Sequence, residues 1–570
     1  MRGAPNINLA WTMLAAEECS RLGMRHAVIC PGSRSAPLAV AFARHADIAV
    51  HIAHDERGGA FLALAIGKAT GVPAALIMTS GTAVANALPA LVEARLTRTP
   101  LLLFAADRPP ELRDCGANQA ISQASLLDGA VRWSCDLPAP TTDIAAEYVL
   151  STIDEAFARA VGDAGSQGGG VHLNWQFREP LAPEVVPWDI AWLWSIARWT
   201  RDARKQRAPW RSAVRLAPSE IVIDDAVIVA GHMTSTRATH ALRKWRGTLL
   251  ADVASGLACS STVGADLVLR AAAQHPAILD ALKPSQLVVI GDGVVSKRVN
   301  EWMSRLTCHT TVVGAGDPRV DSFHRANASI AATDVTWVSN RNLRAHRGWK
   351  RALHCATHAT QQAFAQEKTL CEPVAIHDAT TTAAALDGSG TMFYGSSMPI
   401  RDGDFLAIAP PSGWASASNR GASGIDGLIA SATGHGLATA RPVLAFIGDV
   451  SALHDINSLL LAAQCTTPLV LVVLNNDGGG IFRYLPIAKY PEFERCFATP
   501  HGLQISGIAR ALGVRCETPT TRSAMCKSVH AALRRSGVTV IEVVCTREQS
   551  EAARARIAAA AVAALAREFV

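Results

Sequence analysis

Residues 468–482 read PLVLVVLNNDGGGIF. An unbroken apolar run, Pro468–Leu474, ends in two amides, an acid and three glycines. A short apolar run bounded by glycine has the form of a fully buried strand. Such strands belong to parallel sheets covered on both faces. The preceding residues, FIGDVSALHDINSLLLAAQCTT (446–467), extend the pattern. One apolar strand ends at Gly448-Asp449, a helical pattern runs from Ser451 to Gln464, and the second strand ends at Asn475-Asn476. A right-handed strand–helix–strand crossover puts both strand ends on one edge of the sheet. Asp449 and Asn476 can therefore converge. A carboxylate, an amide oxygen and a backbone carbonyl are hard oxygen ligands suited to Mg²⁺, which keeps its other positions for water and phosphate. Gly478 could supply the carbonyl, because glycine lets the chain turn back. Two ordinary strand ends with turn residues are the plainer alternative. The ordered set of GD, helix and NN is more specific than either pair alone.

The pattern recurs along the chain. HAVIC (26–30), AALIM (74–78), LLLFAAD (101–107), AVIVAG (226–231), LVVIGDG (287–293) and TVIEVVC (539–545) alternate with helical stretches. The expected fold class is α/β, with three doubly wound parallel-sheet domains. Pro-rich REPLAPEVVPW (178–188) suggests a first boundary, and the Trp- and Arg-rich passage to Trp210 has the look of a linker. A second boundary falls near the basic stretch NRNLRAHRGWKRALH (340–354). The expected domains are 1–182, 183–350 and 351–570. The Ala-rich segment EAARARIAAAAVAALAREF is expected to be a packing or surface helix.

Composition excludes several classes of function. Of 570 residues, 49% are hydrophobic and 18% charged, which suits large cores and rules out a disordered chain. The net charge of +6 is scattered, apart from a cluster at 198–211 read as a solvated face. Nucleic-acid binding is not expected. The 13 cysteines form no CxxC pair, so neither a disulfide framework nor a zinc site is expected. The N-terminus lacks a signal-peptide pattern, and no segment reaches the roughly 20 apolar residues that span a bilayer. A cytoplasmic location without membrane contact is expected.

The GDxS–helix–NN set resembles the diphosphate–metal motif of thiamine diphosphate enzymes. That resemblance implies an activating glutamate in a different domain, usually on the partner subunit. Glu56 in HDERGGAFLALAIGKATG (54–71) is the candidate; alone it would pass for an acid favoured at a helix start. TSGTAVAN (79–86) resembles the Ser-Gly turn that approaches the cofactor, giving Ser80, Gly81 and Thr82, though a simple N-cap is the alternative.

CPGSRSAPL (30–38), DRPPELRDCGANQAI (107–121), SNRGASGIDG (418–427) and GDVSALHDINSL (448–459) narrow the resemblance. They are similar to the 2-succinyl-5-enolpyruvyl-6-hydroxy-3-cyclohexene-1-carboxylate synthase family of menaquinone biosynthesis. Nearly the whole chain takes part, most strongly residues 1–125 and 393–486. LLADVASGL (249–257) and SKR (296–298) carry it through the middle. The family implies a pyrimidine-binding N-terminal domain, a central domain and a diphosphate-binding C-terminal domain. It implies thiamine diphosphate with Mg²⁺ or Mn²⁺, and a homodimer or homotetramer. Glu56 would activate the cofactor, 2-oxoglutarate would be decarboxylated, and the resulting carbanion would add in 1,4 fashion to isochorismate. Cofactor contacts would come from Glu56, Ser80, Gly81, Thr82, Ile425, Asp449, Val450, Ser451 and Asn476. The metal would sit on Asp449, Asn476 and Gly478.

Both substrates carry carboxylates, for which arginine is the forked partner. By resemblance, Arg34, Arg108, Arg401, Arg420 and Lys297 bind them. Asn118, Gln119 and Ser397 are neutral hydrogen-bonders, and Ile481 and Phe482 form an apolar wall. The chain departs from the family at Ser396, where Asn is expected, and at His54, where an aromatic such as Phe is common. His435 in GHG is also unfamiliar and is assigned to a loop. The middle unit is similar to a flavin- or nucleotide-binding domain of relatives, but it has no GxGxxG, so no flavin is expected. An acetolactate-synthase-like enzyme, a simple decarboxylase and a catalytically silent protein are the competing possibilities. The small or apolar acceptors of the first two would not need so many cations.

Overall fold

In the computed structural model, the run after Pro468 is a strand buried at every residue but the first. The structure describes residues 3–162, 167–202, 208–210, 221–222, 226–233, 239, 242–245, 247–313, 327–330, 338–339, 346–386 and 388–570. The basic residues at 203–207, 211 and 340–345 lie outside that set. The chain forms two compact units, Met1–Ala217 and Pro218–Val570.

The first unit holds β1 (His26–Ile29), β2 (Ala49–Ile52), β3 (Ala75–Met78), β4 (Leu101–Asp107), β5 (Trp133–Leu137) and β6 (Gly170–Gln176). They form one sheet in the order β2-β1-β3-β4-β6-β5, with every pair parallel. β3, β4 and β6 are buried along their full length, as sheets covered on both faces require.

The passage expected to be a linker instead packs on this first core. Trp192 and Trp199 are part of the core, and Trp188 and Trp210 lie against it. Trp192 stacks on Trp11 with centroids 6.0 Å apart. Buried Glu18 accepts hydrogen bonds from Trp199 Nε1 at 2.7 Å and from the Trp210 amide at 2.6 Å. The Arg21 guanidinium lies 3.7 Å over the Trp199 ring. Charge made the passage look solvated, but its tryptophans carry the apolar area that binds it back.

The second unit begins with β7 (Ile221–Val222). A five-stranded parallel sheet follows, built from β8 (Ala226–Ala230), β9 (Thr248–Ala251), β10 (Gln286–Ile290), β11 (His309–Val313) and β12 (Ala328–Ile330), in the order β12-β11-β10-β8-β9. β13 (Val338–Ser339) pairs with β7. The third large sheet takes β14 (Thr391–Tyr394), β15 (Ala415–Ala417), β16 (Val443–Gly448), β17 (Pro468–Asn475), β18 (Arg515–Glu517) and β19 (Gly537–Val544). Its order is β15-β14-β16-β17-β19-β18, again all parallel. The α/β class with parallel sheets is what the apolar runs predict.

The Ala-rich C-terminal segment is the helix Arg547–Phe569, opened by a capping box at Thr546 and Gln549. It buries Ala558, Ala561 and Leu565 in the core that contains Val227, Leu267 and Trp349.

Two local expectations are corrected. The helix expected over 451–464 is broken into Asp449–His454, a 3₁₀ turn at Ile456–Ser458, and Leu459–Ala462. The break falls at Asp455, whose carboxylate serves another element. It accepts from the amides of Ile429 and Ala430 at 2.8 and 3.0 Å, at the start of the helix Leu428–Thr439. His435 lies inside that helix, not in a loop, and is buried beside Phe393 with ring centroids 6.0 Å apart.

Candidate active site

β16 and β17 lie side by side, with Gly448 opposite Leu474. Asp449 and Asn476 thus leave the sheet as neighbours, as the crossover argument requires. Asp449 is 2% exposed. Its Oδ2 accepts from the Gly478 amide at 2.8 Å, the Asn476 amide at 3.2 Å and His501 Nε2 at 3.3 Å. Its Oδ1 accepts from the Val450 amide at 2.7 Å. Burial pushes the Asp449 carboxyl up, although the Gly478 and Val450 amides and His501 pull the other way. The His501 tautomer follows from its contacts, since Nδ1 accepts from the Leu503 amide at 3.0 Å and Nε2–H is left to donate to Asp449.

The glycines have distinct work. Gly478 has φ +126, and a Cβ there would stand 1.9 Å from the Ala498 carbonyl oxygen. Only glycine fits. A Cβ on Gly480 would stand 2.8 Å from Asn476 Nδ2, so this residue leaves room for the amide.

The two asparagines part company. Asn475 donates to Glu542 Oε1 at 2.7 Å and to the Leu503 carbonyl at 3.0 Å, and accepts from the Asp477 amide at 3.1 Å. Its bonding is complete and structural. Asn476 donates Nδ2 to Glu372 Oε1 at 2.7 Å, while its Oδ1 is buried with no partner. Buried polar atoms are rarely left unbonded. An unpaired amide oxygen beside a buried carboxylate is a donor set that fits a hard divalent cation. The Gly478 carbonyl accepts from the Gly480 amide at 2.9 Å and keeps a second lone pair. Among the described residues no group of three or more His, Cys, Asp and Glu could hold a metal. An Asp, an Asn and a carbonyl lie outside that kind of cluster.

Ser397 and Arg420 belong to the same unit. Ser397 has φ +74 and heads the helix Met398–Phe405, and its carbonyl accepts from Arg401 Nη1 at 2.6 Å. Burial and then the Arg420 charge hold the Arg401 guanidinium below its ordinary range. Arg420 Nε is buried and donates to nothing. Buried Ser396 donates to the Asn419 carbonyl at 3.3 Å. Ile425, Ile481 and Phe482 are half-buried, and Phe482 meets Phe497 edge-on at 5.8 Å. Ser451 is buried, and Val450 is half-buried. Lys297 is not brought to these groups by any described contact. It is 87% exposed and pairs with Glu301 along its own helix at 3.5 Å.

In the first unit, Glu56 opens the helix Glu56–Thr70. Asp55 caps that helix by accepting from the Arg57 and Gly58 amides at 2.9 and 3.3 Å. Cap and candidate are thus adjacent residues, which frees Glu56 from capping. A Cβ at Gly59 would stand 2.9 Å from Cys30 Sγ, so glycine seats this helix against the end of β1. His54 is exposed.

Buried Ser80 donates to the Gln119 carbonyl at 3.0 Å, and Gln119 Nε2 returns a bond to the Ser80 carbonyl at 2.9 Å. Gly81, at φ +84, gives its amide to Gln123 at 3.0 Å. Arg108 donates to Ser80 Oγ. Burial, followed by the Arg34 charge, lowers the Arg108 guanidinium. Arg34 reaches the Phe177 carbonyl at 3.0 Å and Glu179 at 3.3 Å, and its Nε is buried without a partner. Asn118 and Thr82 are exposed. Ser80, Gly81, Arg108, Arg34 and Gln119 are therefore gathered together, and two neighbouring arginines can take an anion.

Sequence reasoning missed Glu372, Arg554, Asp402 and His501. Glu372 has one local signal, an acid before proline at a helix start. Arg554 is one arginine among several in its helix, and nothing local marks it.

Three family models match this chain. They are the thiamine pyrophosphate enzyme N-terminal TPP binding domain over residues 12–126, the middle domain of thiamine pyrophosphate over 190–386, and the thiamine pyrophosphate enzyme C-terminal TPP binding domain over 402–543. The chain is similar to the 2-succinyl-5-enolpyruvyl-6-hydroxy-3-cyclohexene-1-carboxylate synthase of Rubrobacter xylanophilus, at 37% identity over 96% of this chain and 97% of the relative. It is similar to the protein of the same name from Salinibacter ruber, at 36% over 94% and 93%. A third, from Cronobacter sakazakii, is 35% identical over 94% and 95%. With the gathered edges of its sheets and likeness along almost its whole length, the chain belongs to the 2-succinyl-5-enolpyruvyl-6-hydroxy-3-cyclohexene-1-carboxylate synthase family of thiamine diphosphate-dependent enzymes.

Proposed function

We propose that this chain catalyses the reaction its relatives are named for, joining the succinyl part of 2-oxoglutarate to isochorismate with loss of CO₂, in menaquinone biosynthesis. What supports this reading most is the edge beyond β16 and β17, where buried Asp449 stands beside an unpartnered amide oxygen on Asn476. Asp449, Asn476 and the Gly478 carbonyl would hold Mg²⁺ or Mn²⁺, and the ion would hold the diphosphate with Val450 and Ser451. When bound, thiamine diphosphate supplies the carbon nucleophile and the electron sink for decarboxylation.

The remaining work belongs to the chain. Glu56 shares a proton with the far ring nitrogen of the aminopyrimidine. Ser80, Gly81 and Thr82 line the cofactor from the same domain, and Ile425 props it. Arg34, Arg108, Arg401 and Arg420 fork onto substrate carboxylates, and Lys297, exposed and paired with Glu301, would add a charge only by leaving that partner, while Asn118, Gln119 and Ser397 donate neutral hydrogen bonds. Ile481 and Phe482 keep water from the reacting carbon. Orientation of two anions in a dry site is worth several kcal/mol of barrier. Self-association as a homodimer or homotetramer and a cytoplasmic location belong to this proposal. Among the described residues, no helix is long and apolar enough to cross a membrane.

A coupled assay tests the proposal. Isochorismate should disappear only when 2-oxoglutarate, thiamine diphosphate and Mg²⁺ are all present. Rapid CO₂ release without isochorismate, and no coupled product, would identify a simple decarboxylase instead.

A further inference from the structure

Asn475 and Asn476 are adjacent, and each gives its side-chain NH₂ to a buried glutamate. Their oxygens differ. That of Asn475 closes a turn onto Asp477 at 3.1 Å, while that of Asn476 is buried and accepts nothing. A primary amide exchanges its oxygen and nitrogen on flipping with almost no change of shape. A flipped Asn476 would aim NH₂ where a cation needs oxygen.

Glu372 opposes that flip. A carboxylate offers acceptors only, so it attracts Nδ2 and repels Oδ1. Glu372 is itself locked in place. Its second oxygen takes Arg554 Nη2 at 2.6 Å, and Arg554 forks onto Asp402 at 2.6 and 2.7 Å. Glu372 and Asp402 are each 2% exposed. A buried, forked arginine has little freedom to release its partner.

We propose that Glu372, held by Arg554, is a positioning residue that keeps the Asn476 amide with its oxygen toward the cation and so sets the affinity for divalent metal. This rests on Asn476 being a metal ligand. It assigns a task to Glu372 and Arg554, from the helices at 372–384 and 547–569, and none to Asp402, which only shares the arginine.

Mn²⁺ binding to the full-length chain with saturating thiamine diphosphate, followed by the electron paramagnetic resonance of free Mn²⁺, provides the test. E372Q keeps size, but Arg554 takes the oxygen of the new side chain, so its NH₂ faces Asn476 and favours the flipped amide. It should bind Mn²⁺ at least about tenfold more weakly than the native chain. D402N disturbs the same arginine yet spares the Glu372–Asn476 contact, and it should stay within about threefold of native affinity. N476D should bind at least about tenfold more weakly in the native background, where two carboxylates face each other. In the E372Q background, the new amide at 372 can donate to the new carboxylate at 476, and affinity should recover to within about threefold of native.

Native affinity in E372Q, an equal loss in D402N, or no recovery in the double variant would each overturn the proposal. Should E372Q not fold, native-like Mn²⁺ binding by N476D alone would also overturn it. A native chain that takes no Mn²⁺ with thiamine diphosphate would remove the metal site itself, and this inference with it.

Discussion

The first and last large sheets have the same topology. Numbered from its own first strand, each runs 2-1-3-4-6-5, with every neighbour parallel. Their edges carry different chemistry. Beyond β2 and β3, the N-terminal sheet presents a helix-start glutamate and a serine turn. Beyond β16 and β17, the C-terminal sheet presents oxygens and glycines. Each edge also gathers two arginines, Arg34 with Arg108 and Arg401 with Arg420, and one Nε of each pair is buried without a partner. Parallel topology makes the strand ends converge, and the few residues after each strand decide what converges.

The acids of the two regions differ as well. In the N-terminal unit, Glu17 is held down to about 2 by a hydrogen bond from His45, against the cost of burial, with Arg21 assisting. Asp449 is pushed up by burial because amides and one histidine do not offset it. One acid already has its hydrogen-bond and charge partners, whereas the other is placed where a cation would relieve it.

Removing one acid from each edge should separate their roles most widely. E56Q should lose turnover by on the order of a hundred- to ten-thousandfold while keeping Mn²⁺ and thiamine diphosphate within about threefold of native affinity. D449N should lose both turnover and Mn²⁺ binding. Steady-state rates beside equilibrium dialysis would show it, and equal behaviour of the two variants would erase the division of labour.

Glycine substitutions give a smaller contrast. A Cβ at Gly478 would stand 1.9 Å from the Ala498 oxygen, and one at Gly67 would stand 2.1 Å from the Pro100 oxygen. G478A and G67A should each destabilise their unit by about 2–4 kcal/mol in denaturant titrations. Only G478A should also weaken Mn²⁺ binding. Loss of metal in G67A as well would mean that the effect is general.

The smallest effect is electrostatic. The folded value for Glu17, about 2, lies below its ordinary 4.5. Its contribution is therefore present above about pH 4.5 and fades as pH falls through the folded value. E17Q should cost about 1–2 kcal/mol near pH 7, after discounting for partial exposure, and progressively less towards pH 2. Urea midpoints across that range would check the slope.

The apolar runs made the sheets legible, because parallel strands buried on both faces leave an unbroken signature. The Asp449–Asn476–Gly478 edge was legible for a related reason, since one crossover supplies all of it. Glu372, Asp402 and Arg554 were not legible. They come from three separate helices, with Glu372 touching Asn476, Arg554 touching Glu372 and Asp402 touching Arg554, and each looks ordinary in its own surroundings. Asp455 broke an otherwise helical pattern because its carboxylate caps a different helix, a tertiary demand that no local periodicity records. Trp188, Trp192, Trp199 and Trp210 misled in another way, since neighbouring charges hid apolar area that folds back on the core around Trp11.

The helix Arg547–Phe569 contributes Arg554 to one sheet's edge and Ala558, Ala561 and Leu565 to the core beside another. Arg554 follows Glu372 by 182 residues, and the described strands of all three large sheets precede it. Sheets made earlier can collapse during synthesis, domain by domain. Glu372 stays without its arginine until that helix is made. A chain cut between Val544 and Arg554 would keep those strands and leave the Asn476 amide free to turn either way.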